Sequence, residues 1–279
     1  MTLIYESSNG ERFDLMQSPI FCQNPEALAA TDWKYTASAG PGVKPRISKI
    51  YRQAKEYSLT LAVFADDAEE FNTIMRKLHE AFEVDVRSKR PGKMWWGDYY
   101  KPVYIVATEH AEFDEAFEET EETVTVIALS QYWISPAKGE YRAAESEEAE
   151  EWLDYTFDYA LDYKRALTIS ELQNDSMFES DFALTIYGPC QNPAITIGEA
   201  PYALTVSLGA GERVTVDSST QTIRRTSSKG VEENAFRTWT DKENYIFRKI
   251  PPGRVAVGWS KLFDFDLTVF RERNTPEWI

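Results

Sequence analysis

Residues 181–219 read DFALTIYGPCQNPAITIGEAPYALTVSLGAGERVTVDSS. Short apolar runs recur there, each closed by Gly, Pro, Asn or Ser. The pattern continues downstream through QTIRRTS, NYIFRKIPPG, RVAVGWS and FDFDLTVF. Many short strands with a turn signal between each pair are the sequence signature of an all-β sandwich. The glycine-rich pieces at 209–211 and 251–253 read as turns. Neither opens onto a helix, so neither is read as a phosphate cradle.

Upstream the pattern changes. Residues 57–65, YSLTLAVFA, alternate Leu59, Leu61 and Val63 with smaller or polar residues, a strand signal. Asp66 or Asp67 can then cap a helix, with Glu69 and Glu70 in its first turn. Phe71, Ile74, Leu78 and Phe82 recur at helical spacing, widened by Met75 and Ala81. His79 stands one position off that stripe and reads as structural. PGKMWWGDYYKPVYIVATE and ETVTVIALSQYWIS follow as strands, with the RPGK piece as a turn. Residues 135–154 are polar and charged and read as a boundary, with room for a short helix at 143–152. Tyr155, Phe157, Tyr159, Leu161 and Tyr163 alternate as in a half-buried strand. The expected fold is mainly β with one helix in the N-terminal part, in two domains. Residues 1–135 form the first, 136–154 an acidic linker and 155–279 the second, whose last strand could pack back on the first.

Composition narrows the function. With 43% hydrophobic residues in 279, the chain can bury one large core or two ordinary ones. A net charge of −16 makes it a poor ligand for nucleic acid or an anionic membrane. No apolar run approaches a bilayer crossing, and the N-terminus lacks the pattern of a signal peptide. Cys22 and Cys190 read as two reduced thiols. With only His79 and His110 as imidazoles, no nucleophile system or zinc site is expected. The acidic stretch 109–122 lacks the ligand alternation and glycine of a calcium loop and reads as a solvated face. Asp264 and Asp266, or Asp158 and Asp162, could in principle act as a glycosidase pair, but alternating acids on a strand usually line its wet side. No cofactor is expected.

Specific pieces of the second half resemble the siphophage distal tail protein family. They are Ile186-Tyr187-Gly188-Pro189, then Asn192-Pro193 with Ile195, Ile197 and Gly198, then the strand led by Tyr202, then Gly211-Glu212 and Asp217-Ser218. NYIFRKIPPGRVAVGWS and the closing Arg273, Pro276 and Trp278 agree, as does the Tyr/Asp-rich segment at 155–164. More loosely, the strand–helix–strand block before Gly92-Lys93 and Tyr99-Tyr100 resembles the family's ring-forming domain. The glutamate-rich linker and the Trp95-Trp96 pair depart from it. The resemblance implies a non-enzymatic virion part at the tail tip. Its N-terminal domain would form a ring, typically hexameric, joining the tail tube protein to the hub or tail-associated lysin. Its C-terminal domain would be a galectin-like or carbohydrate-module-like β-sandwich, holding a receptor-binding protein in some members and sugar-binding modules in others. A carbohydrate-binding protein that recognises host glycans is the alternative, and a glycoside hydrolase the second.

The candidate subunit or partner interface is Arg87, Lys89, Arg90 and Lys93 with the aromatic pairs Trp95, Trp96, Tyr99 and Tyr100. The basic group reads first as a solvated turn, with a docking patch for an acidic partner as the alternative. The rings read as a structural hairpin, packed on Phe71, Leu78 and Phe82 or on the next subunit.

Overall fold

The computed structural model describes residues 2–40, 43–110, 119–144 and 168–276. The described residues divide into two compact units: one takes those up to Ser135 and from Arg273 on, the other those from Pro136 to Glu272.

The first unit contains β1 (Leu3–Glu6), β2 (Arg12–Asp14), β3 (Met16–Gln17), β4 (Ile20–Cys22), β5 (Lys34–Gly40), β6 (Val43–Tyr51), β7 (Lys55–Phe64), α1 (Ala68–Ser88), β8 (Gly92–Trp96), β9 (Tyr99–His110) and β10 (Glu119–Ala128). Asp67 starts α1 by accepting hydrogen bonds from the backbone N–H groups of Glu69 and Glu70 at 2.9 and 2.7 Å. Those two acids also sit where the positive end of the helix dipole favours them. The apolar stripe buries Met75, Leu78, Ala81 and Phe82. It meets an antiparallel sheet in the order β2-β1-β8-β9-β10-β7-β4-β3. Tyr5 from β1 and Phe82 from α1 meet edge to face at 5.2 Å within one shared core. β5 and β6 pair only with each other, as a separate two-stranded sheet.

The second unit is a β-sandwich. β11 (Trp133–Tyr141) begins in the first unit, where Ile134 pairs with Tyr100, and ends in the second. The rest are β12 (Thr168–Asn174), β13 (Asp181–Tyr187), β14 (Cys190–Gln191), β15 (Ala194–Ile197), β16 (Ala200–Ala203), β17 (Ser207–Leu208), β18 (Arg213–Asp217), β19 (Thr222–Thr226), β20 (Glu232–Asn234), β21 (Gly253–Trp259) and β22 (Phe265–Arg273). One layer runs β20-β19-β18-β13-β22-β11, the other β12-β21-β15-β16. Alternate residues point inward: Phe182, Leu184 and Ile186 from β13 share a core with Val255, Val257 and Trp259 from β21.

Several expectations change. The apolar run 122–135 is two strands, not one. Gln131 between them is buried and binds Asp32 and the carbonyl of Gln53 through its side chain. Residues 136–141 are strand rather than linker, because Tyr141 stacks on Phe265 at 4.5 Å. The expected short helix, apart from its first two residues, and the Tyr/Asp-rich strand lie outside the described residues. NYIFRKI is not a strand, although Ile246, Phe247 and Ile250 still fill the sandwich core. The last strand pairs with β13 and belongs to the sandwich; only the residues from Arg273 on join the first unit.

Candidate functional site

α1 ends at Lys89, whose φ of +54° is the left-handed conformation that closes a helix. Its N–H reaches back to the carbonyl of Asp85. Asp85 itself is fully buried and ties the helix end to the first strand: it accepts from Tyr5 Oη at 2.6 Å, Ser7 Oγ at 2.8 Å and the N–H of Ser8 at 2.7 Å. Gly92 must follow, since a Cβ there would strike the Asp85 carboxylate and the Glu6 carbonyl. RPGK therefore carries the chain from the helix into β8. The hairpin turn is Gly97-Asp98, with Gly97 at φ +58° as a two-residue turn with Gly first requires.

The four candidate cations do not form one patch. Arg87 is exposed and paired with Glu83 one turn back. Lys89 and Arg90 are exposed. Lys93 lies on β8, with its ammonium 3.8 Å from Glu6 Oε1 and 5.8 and 5.3 Å from the Trp95 and Tyr100 ring centres.

The aromatic pairs separate by strand alternation, which sends neighbouring residues to opposite faces. Trp96 turns inward and meets Trp133 edge to face at 5.9 Å. Tyr99 and Tyr100 are also buried. Trp95 turns outward, half-buried, 4.9 Å from the Tyr100 ring, and its indole N–H donates to Glu6 Oε2 at 2.9 Å. Arg12 pairs with the same carboxylate at 2.6 Å. Of the four rings, only Trp95 offers substantial surface. A shallow groove beside it is lined by Glu6, Ser7, Ser8, Gly10, Arg90, Pro91 and Lys93.

The carboxylates considered for acid–base chemistry are occupied. Asp266 does not line a wet face: it accepts from Arg142 and Tyr187 at 2.8 Å and pairs with Lys138 at 3.0 Å. Burial raises its pKa, but the bonds from Arg142, Lys138 and Tyr187 outweigh burial and hold it below the ordinary range. Asp264 accepts the N–H of Ala143 at 2.6 Å. Asp158 and Asp162 lie outside the described residues. Glu122, expected on a solvated face, is fully buried against His79 Nε2 at 2.7 Å. Among the described residues no group of three or more acids, histidines or cysteines is arranged to hold a metal, and no helix is long and apolar enough to cross a membrane.

Two features had no place in the sequence reading. Lys101 is fully buried, donating to the carbonyl of Leu28 at 2.8 Å and lying 4.5 Å from the Trp133 ring centre. Burial pushes its pKa down to about 7, helped by the charges of Lys55 and Arg52. The β5–β6 hairpin leaves Tyr35, Ile47 and Ile50 exposed. Part of its signal was available: the turn pair Pro41-Gly42 follows the alternating run 34–40.

No protein-family model matches the chain, and no curated protein sequence matches it. Solved structures do. The SPP1 Dit protein, described as a paradigm of the hub adsorption apparatus in phages infecting Gram-positive bacteria, superposes with a TM-score of 0.59 at 8% identity, over 98% of both chains. A chain of the phage P2 baseplate, in its activated conformation with calcium, matches with a TM-score of 0.69 at 12% identity over 99% of both chains. The strontium form gives 0.68 at the same identity. Over its described residues the chain is mainly β with one α-helix, and its fold is that of these phage hub and baseplate chains.

Proposed function

We propose that this chain is a structural, non-enzymatic component of a phage tail tip, a distal tail protein. Copies of it close into a ring, six in the family it resembles, between the tail tube protein and the hub or tail-associated lysin. The sandwich unit is then the platform for a receptor-binding protein. The observation that carries this reading is likeness along the whole chain: both units, in the same order, match the SPP1 Dit protein and the P2 baseplate chain over 98–99% of their length. The charges support it too. A ring contact is heterologous and needs two different complementary surfaces on each copy. Lys89 and Arg90 are exposed at the end of α1 and are the cations such a contact would use, Arg87 being paired with Glu83.

Negative-stain microscopy of the purified chain, with light scattering for its mass, tests the reading. Closed rings of uniform copy number are expected. Particles of monomer mass at every concentration, alone and with the tail tube protein, would contradict it. Reversing Arg87, Lys89 and Arg90 to Glu should weaken the ring, and an unchanged mass would remove those residues from the contact.

A further inference from the structure

Alternation along β9 turns Tyr99, Lys101, Val103 and Ile105 to the core face, so a lysine holds a position that its neighbours fill with apolar residues. Opposite it on β8 stands Met94, itself fully buried. Lys101 Nζ donates to the carbonyl of Leu28 at 2.8 Å and to Tyr57 Oη at 3.3 Å. Two acceptors match the two N–H bonds of a neutral amine. An ammonium has a third, and for it the site offers only the Tyr57 and Trp133 rings, whose centres lie 4.9 and 4.5 Å away.

The charges that act on this amine are of its own sign. They are Lys55 from β7 and Arg52 from the link between β6 and β7. The acid of the group, Asp32, is taken up elsewhere. It pairs with Lys34 at 3.0 Å, lies 4.0 Å from Lys55 and accepts from Gln131 at 3.0 Å. The bonds from Lys34 and Gln131 hold its carboxyl below the ordinary range, so it stays ionised. Glu56 is on the exposed side of β7. Burial pushes the Tyr57 hydroxyl up to about 12, so it stays neutral.

The two groups that Lys101 binds belong to the two segments from which the β5–β6 hairpin grows. Leu28 is in the 3-10 turn Pro25–Ala29, which leads through Asp32 into β5, and Tyr57 follows residues 52–55 out of β6. These segments are also tied to each other. Lys55 donates to the Ala30 carbonyl at 3.1 Å, and Gln131 binds both Asp32 and the Gln53 carbonyl. The Arg52 guanidinium lies 4.1 Å from the Trp33 ring centre and 4.5 Å from that of Tyr132. We propose that Lys101 is a proton-operated latch at the base of this hairpin: as a neutral amine it holds residues 28–34 and 52–57 together, and taking up a proton opens them. Closed, an ammonium is shut in beside two cations with no counter-charge of its own; open, water solvates it. The amine titrates at about 7 when closed and near 10.5 when free. Opening therefore becomes easier by roughly tenfold per pH unit as pH falls from about 10 to about 7, and levels off below that, where both states carry the proton.

Hydrogen exchange by mass spectrometry on the intact chain, from pH 6 to 9 and corrected for the intrinsic effect of pH on exchange, reads the opening. Amides of 28–34 and 52–57 should lose protection by roughly tenfold per unit as pH falls towards 7, then hold level. Those of 124–128 in β10, reached by unfolding of the whole unit, should exchange roughly a hundredfold more slowly throughout. Lys101→Met should abolish the pH dependence in the two segments. Should that variant not fold, Lys55→Gln removes one repelling charge and should move the levelling-off to higher pH. Protection that ignores pH in the parent, a dependence that persists in Lys101→Met, or a levelling-off unmoved in Lys55→Gln overturns the latch. So does exchange in 124–128 as fast as in the two segments, which would mean that the unit unfolds as a whole.

Discussion

His79 Nε2 lies 2.7 Å from Oε1 of Glu122, a carboxylate with no exposure to solvent, across the contact between α1 and the sheet. The hydrogen bond His79 donates to Glu122 raises its pKa above the ordinary 6.5, against a smaller opposing effect of burial. A raised pKa in the folded state means the pair stabilises fully below pH 6.5 and loses that contribution as pH rises through the folded value. An NMR titration of His79 should therefore give a pKa above 6.5. His79→Gln should remove the corresponding fall in melting temperature as pH rises above 6.5. A His79 pKa at or below 6.5 would contradict this.

Lys101 gives the opposite slope. Its folded pKa of about 7 lies below the free value near 10.5, so the unfolded chain binds the extra proton between those limits. Stability from this group should then rise with pH from about 7 to about 10. Denaturant melts of Lys101→Met should show an advantage over the parent that shrinks steadily across that range. An advantage independent of pH would mean the ammonium is not perturbed.

Gly92 has no room for a methyl group, with the Asp85 carboxylate, the Tyr5 ring and the Glu6 carbonyl all within reach of a Cβ. Gly92→Ala should destabilise the first unit by about 1–3 kcal/mol by overpacking. Asp85→Asn should add to this less than independently, because both act on the same contact. Urea melts of the two single variants and the double variant measure the difference.

The two tryptophans should separate cleanly. Trp96→Ala empties a core site against Trp133 and should cost about 3–5 kcal/mol. Trp95→Ala loses one hydrogen bond to Glu6 and a half-exposed ring contact, and should cost about 1–2 kcal/mol. If Trp95 also touches a neighbouring copy, its variant stays folded and assembles poorly. Circular dichroism and light scattering on both variants distinguish these outcomes.

Lys89 holds a left-handed conformation that costs a residue with a Cβ more than it costs glycine. Lys89→Gly should stabilise the helix end by about 0.5–1 kcal/mol, read as a higher melting temperature. A lower one would show that the side chain contributes more than its backbone strain costs.

Local order fixed what the sequence by itself could tell. The Asp67 cap and the Met75–Leu78–Phe82 stripe needed only a 3.6-residue period. The strands of the sandwich needed only a two-residue period; the same period separates Trp95 from Trp96 in β8, although the sequence reading grouped their rings together. Which strand lies beside which is not written in either period. Glu122 looked wet because its neighbours in sequence are acids, yet His79, forty-three residues away, makes it a core residue. Asp266 looked wet for the same reason until Arg142, one hundred and twenty-four residues away, came to it. Lys101 carries no sign of burial in its own segment, and a single bulge decides that Ile47 and Ile50 share a face. Burial and charge pairing are set by long-range contacts, so only the tertiary structure could decide them.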